Sequence, residues 1–284
     1  MRLTVLLSAC TILGCSDDTV RPPDIALDAR LDALPLDARP PDARPPDTAP
    51  PVDQPPPNPN QIRLVYMVPS DRSAKPVYTQ AMQSAALQLQ HWFRAQTGGS
   101  TFTLHQPIVE IQVTPHAAGW YSSNANVGVQ EDLWFWQNVL ADGFALTGGK
   151  FDDPSNIWLF YIDADPACGQ ATGGTSHVAL LPANDLRGLA GEANVVLCPG
   201  GKPDAHGTCR WVGGLGHEAG HALGLPHPAD CDKGLPSCPS QTLMWLGYVV
   251  YPATSLLASD LAALAKSPFF GKVSLGPQPP ACTL

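Results

Sequence analysis

The chain has 284 residues, a formal net charge of −9 and 14% charged residues. That length fits one catalytic-sized domain with appendages. The acidic balance argues against nucleic acid as a partner, because phosphate backbones are met by lysine and arginine.

The first fifteen residues, "MRLTVLLSACTILGC", join one arginine to an apolar run and end on a small residue before a cysteine. This is the pattern of a bacterial secretory signal and is set aside from the fold. "ILGC" at 12–15 resembles a lipobox, which predicts cleavage before Cys15 and a lipid on that cysteine; "LSAC" at 7–10 is a second match with a shorter apolar region. A plain secretory signal and a short uncleaved anchor are the alternatives. Ser16 in place of aspartate points, by resemblance to the bacterial sorting rule, to the outer membrane. The expected location is therefore the cell envelope, facing periplasm or cell surface, with secretion as the alternative. No later apolar run approaches the roughly 18 residues of a membrane span, so contact with the bilayer is expected through the lipid only.

Residues 16–60 repeat proline, aspartate, alanine and arginine, with nine Asp against four Arg and no aromatic residue. Such a segment buries too little apolar surface to offset the entropy of ordering, and it reads as an extended tether. A propeptide is the functional alternative, without globular content or a cysteine for a latency switch.

From residue 61 to 284 the composition is that of a folded domain. "IRLVYMV" (62–68) predicts a buried strand. Residues 76–97, opened by Pro76 and closed by Gly98 and Gly99, carry Met82, Ala85, Leu89 and Trp92 at helical spacing. "STFTLHQPIVEIQVT" (100–114) predicts a strand interrupted at Pro107. Val129, Leu133, Trp136 and Leu140 outline a second helix, and "IWLFYI" (157–162) a central strand. "SHVALLP" (176–182) and "NVVLC" (194–198) predict two more strands, the first an edge; the longer stretch "GGTSHVALLP" (173–182) fits both an ordinary edge and one that accepts an extended peptide by strand addition. A helix over 211–223 and a last one near 255–266 complete a mixed α/β sandwich rather than a strictly alternating parallel fold. Trp134, Trp136 and Trp158 lie on apolar elements and are expected in the core.

If Cys10 leaves with the signal and Cys15 takes lipid, six cysteines remain, an even number that favours disulfides in an exported chain. Short loops make Cys231–Cys238 and Cys198–Cys209 attractive and leave Cys168 for Cys282. Metal binding by cysteine is disfavoured because the domain has no Cys-x-x-Cys.

The densest chemistry is "GHEAGHALGLPHPADC" (216–231). His217 and His221 are four apart, so on a helix both imidazoles reach one ion from one face. Glu218 stands where it contacts a water on that ion rather than the ion itself. Gly224 provides a left-handed helix end, and the turn delivers His227 as a third ligand. Three imidazoles and an open position suit a hydrolytic zinc, which acidifies water and polarises a carbonyl while Glu218 moves the proton to the leaving amine.

"HEAGHALGLPH" fills every fixed position of H-E-x-x-H-x-x-G-x-x-H and thereby resembles the metzincin zinc endopeptidases. Met244 in "TLMWLGY" (242–248) resembles the Met-turn beneath the zinc in that family. "LM" followed by an aromatic is similar to matrixins, and "HALGLPHPAD" to serralysins. Leu246 occupies the place of the family's tyrosine ligand, with Tyr248 the nearest tyrosine. Pro228 matches neither the aspartate of reprolysins nor the glutamate of astacins, so no subfamily is assigned. The resemblance implies an α/β (α+β) zincin: a mixed twisted sheet with an antiparallel edge strand over the active-site helix, and a small C-terminal subdomain with a helix. It further implies one catalytic Zn2+ and an extended protein or peptide substrate lying antiparallel to the edge strand near 176–181; a monomer is expected. Alternatives are a non-catalytic zinc-binding or adhesion protein on the same scaffold, and a hydrolase of cell-wall peptides.

His91, His105, His116, His177 and His206 have no neighbours at ligand spacing and read as surface or core residues. Asp152, Asp153, Asp163 and Asp165 fit calcium binding and turn chemistry equally well.

Overall fold

The computed structural model describes residues 60–125 and 128–284. The signal segment 1–15, Cys15 and the tether up to residue 59 lie outside the described residues. Among the described residues, no helix is long and apolar enough to cross a membrane.

A six-stranded sheet organises the chain: β1 (Gln61–Val68), β2 (Thr101–Val113), β3 (Asn156–Ile162), β4 (Gly173–Thr175), β5 (Val178–Leu181) and β6 (Phe270–Gly271), in the spatial order β4-β5-β3-β1-β2-β6. β1 is parallel to β2 and β3, and β3 is parallel to β5. β4 and β6 are antiparallel to their neighbours and close the two ends. The helices are α1 (Pro76–Gln96), α2 (Trp134–Thr147), α3 (Ala183–Leu189), α4 (Thr208–Ala222), α5 (Ala229–Asp232) and α6 (Ala258–Leu264).

β1 and β3 read as unbroken apolar runs because both faces of the sheet are covered. Leu64, Tyr66, Leu159 and Tyr161 face α1 and α4, whereas Val65, Met67, Trp158, Phe160 and Ile162 face α2. The result is three layers, with the sheet between helices. α1 starts at Pro76, whose missing N–H costs nothing in the first turn. It buries Tyr78, Met82, Ala85, Leu89 and Phe93 on one stripe, each large side chain contributing about 1.5–3 kcal/mol of transfer free energy. Trp136 and Trp158 are buried core residues, and Trp134 is half-buried.

Several expectations are corrected. β2 runs through Pro107 as one strand; the interruption is a register shift against β1 between Ile62 and Leu64, beside a cis Gln106–Pro107 bond. A bulge lets a strand pass a residue without an N–H. Residues 194–198 form no strand; their apolar run is followed by Cys198, which is bonded to Cys168. The other bridges are Cys209–Cys282 and Cys231–Cys238. Only the 231–238 pairing follows from loop length; the other two join segments brought together by the fold, over separations of 30 and 73 residues.

The edge strand also differs. Val178–Leu181 is flanked on both sides, by β3 and β4. The edge is Gly173–Thr175, and Ser176 and His177, both at positive φ, form the tight hairpin turn between them. The aspartates serve turns and ion pairs. Asp153 accepts from the Ser155 and Asn156 backbone and from Trp158 Nε1, and Asp163 and Asp165 pair with Arg72 and Arg187.

Candidate metal centre

α4 carries four glycines in fifteen residues, a poor composition for an isolated helix. Packing and termini hold it. No side chain caps its start. Instead the segment stapled to it by Cys209–Cys282 supplies the acceptor: Thr283 O takes the Cys209 N–H at 2.8 Å, and the Thr283 and Thr208 hydroxyl groups bond each other's backbone. At the other end Leu225 N donates to Gly220 O and Gly224 N to His221 O, with Gly224 at φ +84°. This is the Schellman termination expected of Gly224, and it turns His227 back toward the helix.

The fold brings His217, His221 and His227 together. Their Nε2 atoms lie 3.1 Å (217–221), 3.0 Å (221–227) and 3.4 Å (217–227) apart. Among the described residues this is the one cluster of histidine, cysteine or acidic side chains close enough to hold a metal ion. The residues fit zinc: a tetrahedral site with bonds of about 2.1 Å has ligand–ligand edges of roughly 3.4 Å. The other ring nitrogens are engaged, His217 Nδ1 with Leu243 O at 2.7 Å and His221 Nδ1 with Leu225 O at 2.9 Å. Carbonyls accept only, so both Nδ1 atoms carry the hydrogen and both Nε2 lone pairs face the centre. Burial, and then the proximity of His221, hold the His217 pKa well below the ordinary histidine value, which keeps this ring neutral.

Met244 is fully buried, and its Sδ lies under α4 at Gly220. A Cβ on Gly220 would stand 2.4 Å from that sulfur, so the helix and the Met244 turn approach only because residue 220 has no side chain. The adjacent Leu243 carbonyl is the one that holds His217. Trp245 and Tyr248 add aromatic edges, with ring centroids 5.1 Å from His227 and 5.2 Å from His217. Leu246, two residues after Met244, is 54% exposed.

β4 lies against α4 at Glu218. A Cβ on Gly174 would meet Glu218 O at 2.3 Å, and one on Gly173 would stand 3.5 Å from Glu218 Oε2. The glutamate carboxylate thus lies against the outermost strand. The turn after β4 is fixed to the same helix, His177 N donating to Ala222 O. Tyr161, from β3, is fully buried, and its hydroxyl has no hydrogen-bond partner among the described residues. Burial, with the carboxylates of Asp185 and Glu218, holds that phenol well above its ordinary pKa.

Gly173 and Gly174 were legible as the start of the candidate edge segment "GGTSHVALLP" (173–182), whereas Gly220 and Tyr161 were not legible as residues of the site. Gly220 sits at a variable position of the motif, and Tyr161 is indistinguishable from its apolar neighbours in "IWLFYI". His105, His116 and His206 pair with Glu110, Asp142 and Asp204, away from the cluster.

No family model and no curated protein sequence matches the chain. Among solved structures it is similar to wild-type OgpA from Akkermansia muciniphila, with a TM-score of 0.49 and 18% identity over 74% of this chain and 61% of that one. It is also similar to archaemetzincin from Methanopyrus kandleri, at 0.34 and 16% over 72% and 87%. A third is metalloproteinase-II from Bacteroides fragilis, at 0.35 and 16% over 72% and 52%. The match thus spans about three fifths of the OgpA chain.

Proposed function

We propose that this chain is a zinc-dependent endopeptidase, with His217, His221 and His227 as metal ligands and Glu218 as general base. The observation that carries the reading is the convergence of three Nε2 atoms within 3.4 Å, with Glu218 next to His217 on the same helix. Zinc, when bound, supplies a Lewis acid that acidifies water and polarises the scissile carbonyl. Glu218 accepts the proton of the attacking water and hands it to the leaving amine. β4, outermost in the sheet, offers its backbone to an extended peptide by strand addition. Its glycines set no side chain between that peptide and Glu218.

Export with a lipid on Cys15 belongs to the same proposal, and the three disulfides support an oxidising compartment. The test is metal analysis of the purified protein combined with mapping of cleavage in a peptide library, for wild type and Glu218→Ala. One zinc per chain and cleavage lost in the variant are expected. Absence of stoichiometric zinc, or equal cleavage by both proteins, refutes it. Purified peptidoglycan beside casein separates a cell-wall hydrolase from a general protease, and loss of metabolic lipid labelling in Cys15→Ala tests the anchor.

A further inference from the structure

The three histidines are not supported alike. His217 and His221 pass their Nδ1 hydrogens to main-chain carbonyls, which are as rigid as the backbone that carries them. The atom facing His227 Nδ1 is a side-chain oxygen, Asp232 Oδ1, at 3.4 Å. Asp232 is the last residue of α5, a single turn that could not persist alone. What holds that turn is local: Cys231 N and Asp232 N donate to Pro228 O, Leu235 N to Asp230 O, and Ser237 Oγ to Asp230 Oδ2. The Cys231–Cys238 bridge closes over them. Beyond Cys238 the chain runs on to Leu243, whose carbonyl holds His217. One disulfide-braced segment, 227–243, therefore carries the third ligand and the Nδ1 partners of two of the three.

We propose that Asp232 is the positioning residue of His227. Its carboxylate accepts the Nδ1 hydrogen and thereby fixes the tautomer and ring plane that aim Nε2 at the metal, and the Cys231–Cys238 bridge sets the reach of that carboxylate. Carboxylate–histidine–metal relays of this kind raise ligand basicity, and their loss typically weakens metal binding by about 10- to 100-fold. The Asp232 side chain is 49% exposed, so its contribution to folding is small, and the effect should appear in metal affinity instead. This inference rests on the zinc reading above.

The experiment is chelator competition for zinc with the full-length protein, for wild type, Asp232→Ala, Asp232→Asn and the Cys231→Ser/Cys238→Ser pair, with thermal unfolding of each metal-free protein alongside. Asp232→Ala is expected to lower zinc affinity by about 10- to 100-fold without moving the metal-free melting temperature. Asp232→Asn, which keeps an acceptor oxygen without the charge, should fall between. The cysteine pair should weaken zinc with Asp232 intact, and adding Asp232→Ala to it should cost less than in wild type, because both act through one contact. Unchanged zinc affinity in Asp232→Ala overturns the inference alone. A wild type that takes up no zinc overturns it together with the proposed function. A drop in affinity matched by an equal loss of metal-free stability overturns the positioning role in favour of a structural one.

Discussion

Gly220→Ala isolates the contact between α4 and the Met244 turn. In a helix interior the change should help, since alanine is favoured over glycine by about 0.8–1 kcal/mol. The structure opposes it. The new Cβ would stand 2.4 Å from Met244 Sδ and 3.0 Å from its Cε, with Leu225 Cδ1 behind at 3.7 Å. An unstrained carbon–sulfur contact needs about 3.5–4.0 Å, so something must yield by more than an ångström. Met244 is fully buried, and the sulfur is not the free end of its side chain. Overpacking of this kind costs about 1–3 kcal/mol, enough to outweigh the helix gain. Net of that gain up to about 2 kcal/mol of destabilisation remains, which lowers the melting temperature of a domain of this size by up to roughly 8 °C. The displacement should also reach His217 through the Leu243 carbonyl and weaken zinc binding. Thermal and urea unfolding of Gly220→Ala, Met244→Ala and the double variant provide the assay. Met244→Ala alone should lose about 2–5 kcal/mol to the cavity. In that background Gly220→Ala should become neutral or stabilising. If Gly220→Ala stabilises the wild-type background by its helix propensity, or the two changes add, the close-approach argument fails.

Other expectations follow from the same geometry. Glu218→Ala should reduce peptide hydrolysis by about 10²–10⁴-fold while zinc content is unchanged; a variant that retains turnover, or loses its zinc, removes the general-base assignment. Gly174→Ala forces a Cβ to 2.3 Å from Glu218 O and should detach β4 from α4. A fall of tenfold or more in kcat/KM is expected, and full activity would show that β4 does not need its seat on the helix. Burial raises the Asp185 pKa to about 6, against the pull of Arg210. Because the folded protein then binds a proton that the unfolded chain has released, stability is lost as pH rises from about 4 through about 6. The full shift corresponds to about 3 kcal/mol, reduced to roughly 1–2 by the residue's partial exposure. Asp185→Asn should thus be more stable than wild type at pH 7–8, with the gain vanishing near pH 4, as read by urea midpoints; a gain independent of pH contradicts the assignment. The Cys209–Cys282 bridge closes a 73-residue separation, for which chain entropy gives about 4 kcal/mol. Replacing both cysteines by serine should destabilise the protein more than replacing Cys231 and Cys238, whose loop predicts about 2.5 kcal/mol. The reverse order would mean that strain or residual structure dominates.

The histidine cluster was legible because all its determinants are local. Four-residue spacing on a helix puts two rings on one face, and a glycine three positions later reverses the chain within hydrogen-bond range of the same turn. Long apolar segments such as β1, α1 and β3 were legible for a similar reason, since their periodicity reports burial on one or both sides. The segment 194–198 misled by the same rule: a short apolar run satisfies a strand pattern, and nothing local records that no neighbouring strand is available to pair with it.

The sequence by itself determined which atoms meet at the candidate centre: three imidazoles, the third delivered by the turn at Gly224. Only the tertiary structure decided what holds them. The carbonyl on His217 comes from Leu243, 26 positions away, the seat for Glu218 from a glycine edge strand, the helix cap from Thr283, and two of three disulfides from distant segments. Those contacts depend on how the sheet orders its strands and where loops return. Such long-range closure carries no periodic or short-spaced signature, because a glycine making room for a sulfur looks, in sequence, like any other glycine.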